Sequence, residues 1–555
     1  MNVLIVLAAL AALLLGYLFY GRYLAKKWGL DPSRETPSQD CFDGRDFVPT
    51  PPVVVMGHHF ASIAGAGTII GAVKAAAFGW LPALLWIVLG SVFIGAAHDF
   101  GALFASLRHK GRSLGRVLRE HVGEGAQRVF TVFALLVLVL LVACFTNVVA
   151  DSFSSSAEGL VSVGLGRVSP NASAGTASIL FVLVGLLFGL LVFRKNLPMV
   201  PMTVLCLLLM AGSVWAGLCF GLNLPYRAWV AVLAVYLVAA SLAPVWALLQ
   251  PRDFLGAFLL WGGMLFCLVV LLLPHDGSAA LPAVTEAFSA HTLFSLLTVL
   301  VFGGAVSGYH ALIASGTSSK QLANEKHARP VAVGSVLLSA VLALIVLLAV
   351  SGGIPVSSAP STPLADFARC VANAAGFGPA YALVLIVLSL FALTTLDTCT
   401  RLARYLFAEL FNPDGRRLKK LEGAQRFFAT PAVGTLLVVL LGCGLGLVRD
   451  LDRLWGLFGA ADLLLAGVAM MSAAIWLRAE GKKTGMLVVP MFLSLAAALA
   501  FLVWNAVRTL TGLAGWIDWL TLGCSAVLLV LAVILLAQGL PALFKKPEEA
   551  ADDAD

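Results

Sequence analysis

The chain has 555 residues, of which 60% are hydrophobic and only 12% are charged, and its mean hydropathy is +0.97. No soluble interior of that size buries so much apolar surface, so the composition excludes a soluble globular protein and points to a polytopic membrane protein. The formal charge of +7 does not argue for nucleic acid, because the basic residues are spread through short loops between apolar runs, where membrane topology accounts for them.

The first apolar run, Val3 to Tyr20, has no basic residue ahead of it and no small-residue cleavage site. It reads as a retained first span rather than a cleaved signal peptide. The loop at 25–52 is rich in acid (Asp31, Glu35, Asp40, Asp43, Asp46) and in proline (Pro32, Pro37, Pro49). Two readings of it stay open, a solvated linker and a cytoplasmic gate. At roughly 20 residues per crossing, about fifteen runs are long enough to span: 2–24, 53–75, 78–107, 127–150, 176–193, 199–221, 228–249, 254–273, 292–317, 331–351, 376–404, 430–447, 455–477, 486–505 and 517–541. Basic loops, including Lys26-Lys27, Arg108 to Arg119, Arg194-Lys195, Arg252, Lys320 to Arg329, Arg416 to Lys420 and Lys482-Lys483, alternate with loops poor in Lys and Arg at 151–175, 274–291 and 352–375. The positive-inside rule then places the N-terminus outside and the C-terminus in the cytoplasm. The chain divides into a first helix and cytoplasmic linker (1–52), a transporter core (53–478), C-terminal transmembrane helices (479–547) and an acidic disordered tail (548–555). The nine cysteines are scattered without a CxxC pair and read as small buried hydrophobes. There is no P-loop, which argues against ATP-driven transport by this chain alone.

Polar residues inside apolar runs are costly, so each is a functional candidate. Residues 57–68 read GHHFASIAGAGT, with two imidazoles and three glycines at membrane depth. Glycine costs about 1 kcal/mol in a helix interior, and lipid satisfies no exposed backbone. Such a segment suits a broken helix of the kind that builds transporter sites. A break near Ala64 to Thr68 would offer N–H groups to a carboxylate and carbonyls to a cation; tight packing around satisfied histidines is the alternative. His98-Asp99 follows, either a proton relay or a simple electrostatic partner of the basic loop after it. Residues 303–317, GGAVSGYHALIASGT, form a second glycine-rich segment, and loop charge makes it run opposite to the first, as an inverted repeat requires. At 394–401, TTLDTCTR places Asp397 and Arg401 four apart on one helix face. Asp397 is a candidate proton carrier, and Thr394, Thr395 and Thr398 supply oxygens suited to Na⁺. A structural Asp397–Arg401 pair is the alternative. Asp462 also falls inside a span. Adjacent residues such as His58 and His59 project differently from a helix, a poor geometry for a shared metal, and no metal site is expected.

The blocks GHHFASIAGAG (57–67), LGSVFIGAAHDF (89–100), SLRHKGRSL (106–114), SGYHALIASGT (307–317), QLANE (321–325), ALTTLDTCTRLARYLFAEL (392–410) and LFGAADLLLAG (457–467) together resemble the carbon starvation protein family. The resemblance implies an inner-membrane transporter of peptides or pyruvate, with proton-coupled uptake and a LeuT-like inverted-repeat core. Core helices one, six and eight would be 53–75, 292–317 and 376–404, with two extra helices, 228–249 and 254–273, between the repeats. The sequence departs from the family pattern at Thr68, Ala72, Lys74, Ala461 and Asp462.

The expected protein is therefore an all-α secondary importer of a small carboxylate such as pyruvate, or of short peptides, driven by H⁺ or Na⁺. It is not expected to be an enzyme, to hold a cofactor or to bind nucleic acid; its partners are the lipid bilayer and its substrate. The expected substrate-binding residues are His58, His59, Ser62, Gly65, Gly67, Thr68, Ser307, Tyr309, His310 and Ser315. Coupling falls to Thr394, Thr395, Asp397, Thr398, Asp99 and Asp462, with Na⁺ ligation at Thr394 and Thr395. A passive channel and a nutrient sensor are the rival readings.

Overall fold

A bilayer core offers no water to the backbone, so each apolar run must satisfy its own N–H and C=O groups, and the helix does so within one segment. The computed structural model describes residues 3–154, 161–163, 166–273, 281–290, 292–302, 304–352, 363–416, 418–448, 451–513 and 515–545. The expected acidic tail at 548–555 lies outside the described residues. The main helices in chain order are α1 (Val3–Trp28), α2 (Pro52–Ile63) and α3 (Ala66–Ala76), α4 (Trp80–Arg108), α5 (Leu114–His121), α6 (Glu124–Phe153), α7 (Pro170–Arg194), α8 (Met199–Cys219), α9 (Tyr226–Leu242) and α10 (Leu249–Leu272). They continue with α11 (Thr292–Phe302) and α12 (Gly308–Gly316), α13 (Glu325–Ser351), α14 (Pro363–Ala375), α15 (Ala380–Phe411), α16 (Pro431–Gly446), α17 (Leu451–Ala479), α18 (Gly485–Thr511) and α19 (Trp516–Phe544). One small departure from an all-helical chain is an antiparallel pair, β1 (Val161–Val163) and β2 (Gly166–Val168).

Among the described residues, eleven helices are long and apolar enough to cross a membrane, or twelve if the bent pair α2 and α3 counts as one span. The three remaining runs of the expected fifteen carry shorter apolar helices, at Tyr226–Leu242, Thr292–Val301 and Pro431–Gly446. Burial sorts the spans into centre and periphery. The most apolar windows of α13 and α15 are 89% buried and that of α17 is wholly buried, against 22% for α1 and 28% for α19. A centre of α13, α15 and α17 is thus walled from lipid by other helices. That shelter lets these three helices carry polar residues such as Ser339, Asp397 and Asp462.

The loop at 25–52 is neither loose nor simply solvated. Val48 N–H donates to Lys320 O (3.2 Å) and Thr50 N–H to Gln321 O (3.0 Å), forming a parallel bridge from Thr50 to Leu322. Ser38 Oγ donates to Leu322 O at 2.8 Å, and Gln250 Nε2 donates to Thr50 Oγ1 at 3.0 Å. Arg108 grips Glu325 through Nε (2.7 Å) and Nη2 (3.0 Å), and Glu325 also accepts from Asp31 N–H. Tyr405 OH donates to Asp46 (2.6 Å), and the Lys320 ammonium lies 4.4 Å from the Tyr405 ring centre. Burial works to raise the Asp46 pKa, but Lys320, the Tyr405 hydroxyl and Arg404 outweigh it and hold it below the usual carboxylate value. Burial likewise lowers the pKa of Lys320. The segment is a strap across the ends of α2, α12 and α15.

Candidate functional site: two broken helices around a polar cavity

The first break follows from glycine. Gly65 is extended (φ −82°, ψ −167°), the helical ladder stops at Ile63, and α3 leaves α2 at 43°. Part of the freed backbone is recovered locally: Thr68 N–H donates to Gly65 O (3.2 Å), and Thr68 Oγ1 lies 3.4 Å from Ile63 O and 3.0 Å from Ser339 Oγ. The first-turn N–H groups of α3, at Ala66 and Gly67, have no acceptor within their own helix. A side chain at Gly65 has no room, since its Cβ would sit 2.2 Å from Thr395 Oγ1, whereas a Cβ at Gly67 would meet nothing nearer than 3.8 Å.

The second break separates α11 from α12. Gly304 takes a left-handed conformation (φ +71°), and a Cβ there would stand 3.2 Å from Thr68 O, so the two breaks touch. The start of α12 presses on α17, with a Cβ at Gly308 falling 2.4 Å from Asp462 O. Asp462 then caps α12, its Oδ1 accepting from Tyr309 N–H at 2.8 Å. A carboxylate at a helix N-terminus is favoured by the dipole and by the unpaired N–H groups there. Tyr309 OH reaches across to Thr395 O (3.2 Å).

Between the breaks lies a small cavity of about 60 Å³, within a wider space of about 590 Å³ that includes open solvent. It is lined by Ser62, Gly65, Gly67 and Thr68 from the first segment, Ser307, Tyr309 and His310 from the second, and Thr395 and Asp462. Phe145, Trp455 and Phe458 supply apolar walls. Ser62 is 1% exposed and its hydroxyl has no partner among the described residues. Among the described residues, no Lys or Arg lines the cavity and no lining residue comes from the strap.

The other expected site residues sit behind this wall. His310 Nδ1 is 3.2 Å from Asp99 Oδ2, and Asp99 Oδ1 is 2.7 Å from His98 Nδ1, so a chain of three titratable groups leads from the cavity into α4. His58 and His59 point away from the cavity. His58 Nδ1 meets Asp253 (2.7 Å) and its Nε2 meets Thr317 Oγ1 (3.1 Å), while His59 Nδ1 meets Ser318 Oγ (2.8 Å). Ser315 donates to Ala311 O (2.7 Å) and lines a separate cavity with Lys320, Tyr405 and Glu409. Thr394 and Thr395 donate to Phe391 O at 2.9 and 3.0 Å, and Thr394 Oγ1 also lies 3.5 Å from Ala61 O. Thr398 is buried off the cavity.

Two expectations are corrected. Asp397 does not pair with Arg401; it takes both terminal nitrogens of Arg252 and the Tyr236 hydroxyl (2.5 Å), while Arg401 donates to Ala240 O (2.5 Å). Arg252 is not a loop residue. It is 1% exposed in the first turn of α10 and also binds neighbouring Asp253 (2.6 Å). Arg252, Asp253, Tyr236 and Ser318 are therefore network members that the motifs did not flag. The signal for the first two was an Arg-Asp dipeptide at the edge of an apolar run, credited instead to loop charge.

Known proteins agree with this architecture. A family model described as Carbon starvation protein CstA matches residues 1–357 and 352–500. The chain is 36% identical over 357 residues to a peptide transporter CstA of Campylobacter jejuni, a match covering 62% of this chain and 49% of that protein, so it spans about half the relative's length. It is 31% identical over 547 residues to the peptide transporter CstA of Escherichia coli K12, covering 85% of this chain and 76% of that one. To the pyruvate/proton symporter BtsT of the same organism it is 33% identical over 366 residues, 62% of this chain and 48% of the relative. Among solved structures, a manganese transporter of Eremococcus coleocola aligns with a TM-score of 0.50 at 12% identity, covering 90% of this chain and 98% of that one, a likeness of fold alone. The chain belongs to the carbon starvation protein CstA family.

Proposed function

We propose that this protein is a secondary active importer of a small carboxylate-bearing solute, a short peptide or pyruvate, in the inner membrane. The observation that carries the reading is the contact between two glycine-broken helices beside a cavity lined by polar side chains from both, an arrangement suited to binding at membrane depth with moving halves on either side. In this reading α2–α3 and α11–α12 are the corresponding broken helices of a LeuT-like inverted repeat within 53–478, and the runs make fifteen crossings with the N-terminus outside. The substrate carboxylate meets the first turn of α3 and the Ser62 hydroxyl. The names of the relatives, peptide transporter and pyruvate/proton symporter, support both substrate classes.

Protons are the proposed driving ion, carried by His310, Asp99 and His98, because that chain leads from the cavity to buried titratable groups behind it and histidine ordinarily titrates near pH 6.5, about where a proton gradient acts. Asp397, held by Arg252, is assigned to joining α15 with α10. A second reading has Na⁺ at Thr394 and Thr395, favoured by the nearness of Thr394 Oγ1 to Ala61 O. The deciding experiment is uptake of labelled pyruvate and a dipeptide by purified protein in vesicles, with proton and Na⁺ gradients imposed separately. Accumulation above the external concentration on an inward proton gradient is expected. Flux that stops at equilibrium would mean a channel, and binding without flux a sensor.

The glycine pair gives a sharper expectation. Gly65→Ala drives a methyl into Thr395, and Gly65→Leu has no accommodation at all, so uptake should fall at least about tenfold for alanine and vanish for leucine, a displacement of the kind that costs about 10²-fold for 1 Å. Gly67→Ala, whose methyl would meet nothing nearer than Phe145 at 3.8 Å, should stay within about twofold by the same geometric argument. Equal losses at both positions would deny that Gly65 is selected for close approach.

A further inference from the structure

We infer that Asp462 is the counter-ion for a substrate ammonium group, so that the cavity selects a solute carrying a free amine as well as a carboxylate. The inference rests on the transport reading above and narrows its substrate class. Its basis is the distribution of charge around one cavity. The positive pole is the first turn of α3, where Ala66 and Gly67 present N–H groups, joined by the buried Ser62 hydroxyl that has no partner and lines the same space. The negative pole is Asp462, a lining residue only 7% exposed. The two helix ends differ in this respect: α12 has its N-terminus occupied by Asp462 through Tyr309 N–H, whereas no side chain of the described residues caps α3.

A carboxylate has about four acceptor positions, so accepting from Tyr309 N–H and from the Ser307 side chain still leaves Asp462 able to take an ammonium. With no Lys or Arg in the lining, a purely anionic solute gains one favourable pole and is repelled by the other. A zwitterion gains both, and its two charges replace water that each pole would otherwise lose on closure. A keto acid such as pyruvate has nothing to offer Asp462, whereas an amino acid or a peptide with a free N-terminus does.

The test separates charge from scaffold, because asparagine still accepts from Tyr309 N–H and remains a good cap. Full-length protein in vesicles under an imposed proton gradient is assayed for uptake of dialanine, N-acetyl-dialanine and pyruvate, as wild type, Asp462→Asn and Asp462→Glu. Binding of the same three probes is followed separately by thermal stabilisation in detergent. Wild type should prefer dialanine over N-acetyl-dialanine by at least about tenfold, the scale of one charge-assisted hydrogen bond. Asp462→Asn should bring the ratio of dialanine to N-acetyl-dialanine uptake down towards one, whatever the overall rate, and Asp462→Glu should restore part of the preference. An equal loss for all three solutes in Asp462→Asn, or a wild type indifferent to N-acetylation, overturns the assignment while leaving transport standing. Selective stabilisation by dialanine without flux would retain the amine site and overturn the transport reading. Absence of both flux and stabilisation with every probe overturns the two together.

Discussion

Arg252→Met is expected to destabilise the protein by about 3–5 kcal/mol, the scale found when one partner of a buried ion pair is removed. The side chain fits the space but takes away the cation that faces Asp253 and Asp397, whose carboxylates are 0% and 2% exposed. The two carboxylates would then share one buried pocket, with Tyr236 and His58 as hydrogen-bonding neighbours. The loss should show as a lower midpoint of thermal unfolding in detergent and a poorer yield from membranes. Adding Asp397→Asn and Asp253→Asn to Arg252→Met should recover part of it, because the stranded charges go with the cation. A single Arg252→Met protein as stable as wild type would mean that this cluster does not hold α10 to α15.

Asp99→Asn is expected to separate substrate movement from its driving force. Asparagine keeps an acceptor for His98 and a similar shape beside His310, so the fold should survive, but the group between the two histidines no longer carries a charge or a proton. Gradient-driven accumulation should drop by about 5–150-fold, the range of a typical coupling free energy, while exchange of labelled for unlabelled solute across equilibrated vesicles continues. Reading accumulation and exchange side by side matters here, since a misfolded protein would lose both. Full accumulation by Asp99→Asn would move coupling to the oxygens at Thr394 and Thr395.

Much of this architecture is legible in the sequence because it is written in glycine and charge. GHHFASIAGAG and GGAVSGYH interrupt apolar runs with residues that a continuous lipid-facing helix has no use for, and both mark the breaks. Which face of a buried helix looks into the cavity is not written there. The α2 helix is apolar nearly all round, so its periodicity carries no direction, and His58 and His59, the most conspicuous residues, turn to Asp253 and Ser318 while Ser62 faces the cavity. Asp397 illustrates a different limit. Spacing of four finds partners on its own helix, but its partner lies 145 residues away in sequence. Arg252 was hidden by the topology argument itself, which credits any basic residue between two apolar runs to a loop. The number of spans is not written there for a related reason: a run of apolar residues fixes neither helix length nor where a break falls, and α9, α11 and α16 come out shorter than a full crossing.

The strap ties α2 to the foot of α12. Thr50, hydrogen-bonded beside Leu322, is followed after a single proline by the first turn of α2, and a turn and a half further on His58 holds Thr317. Drawing that end of α2 away from the foot of α12 must therefore unzip the backbone bridge in the same stroke. Latch and door are one piece of chain, and an aqueous route past that end opens only at the cost of both.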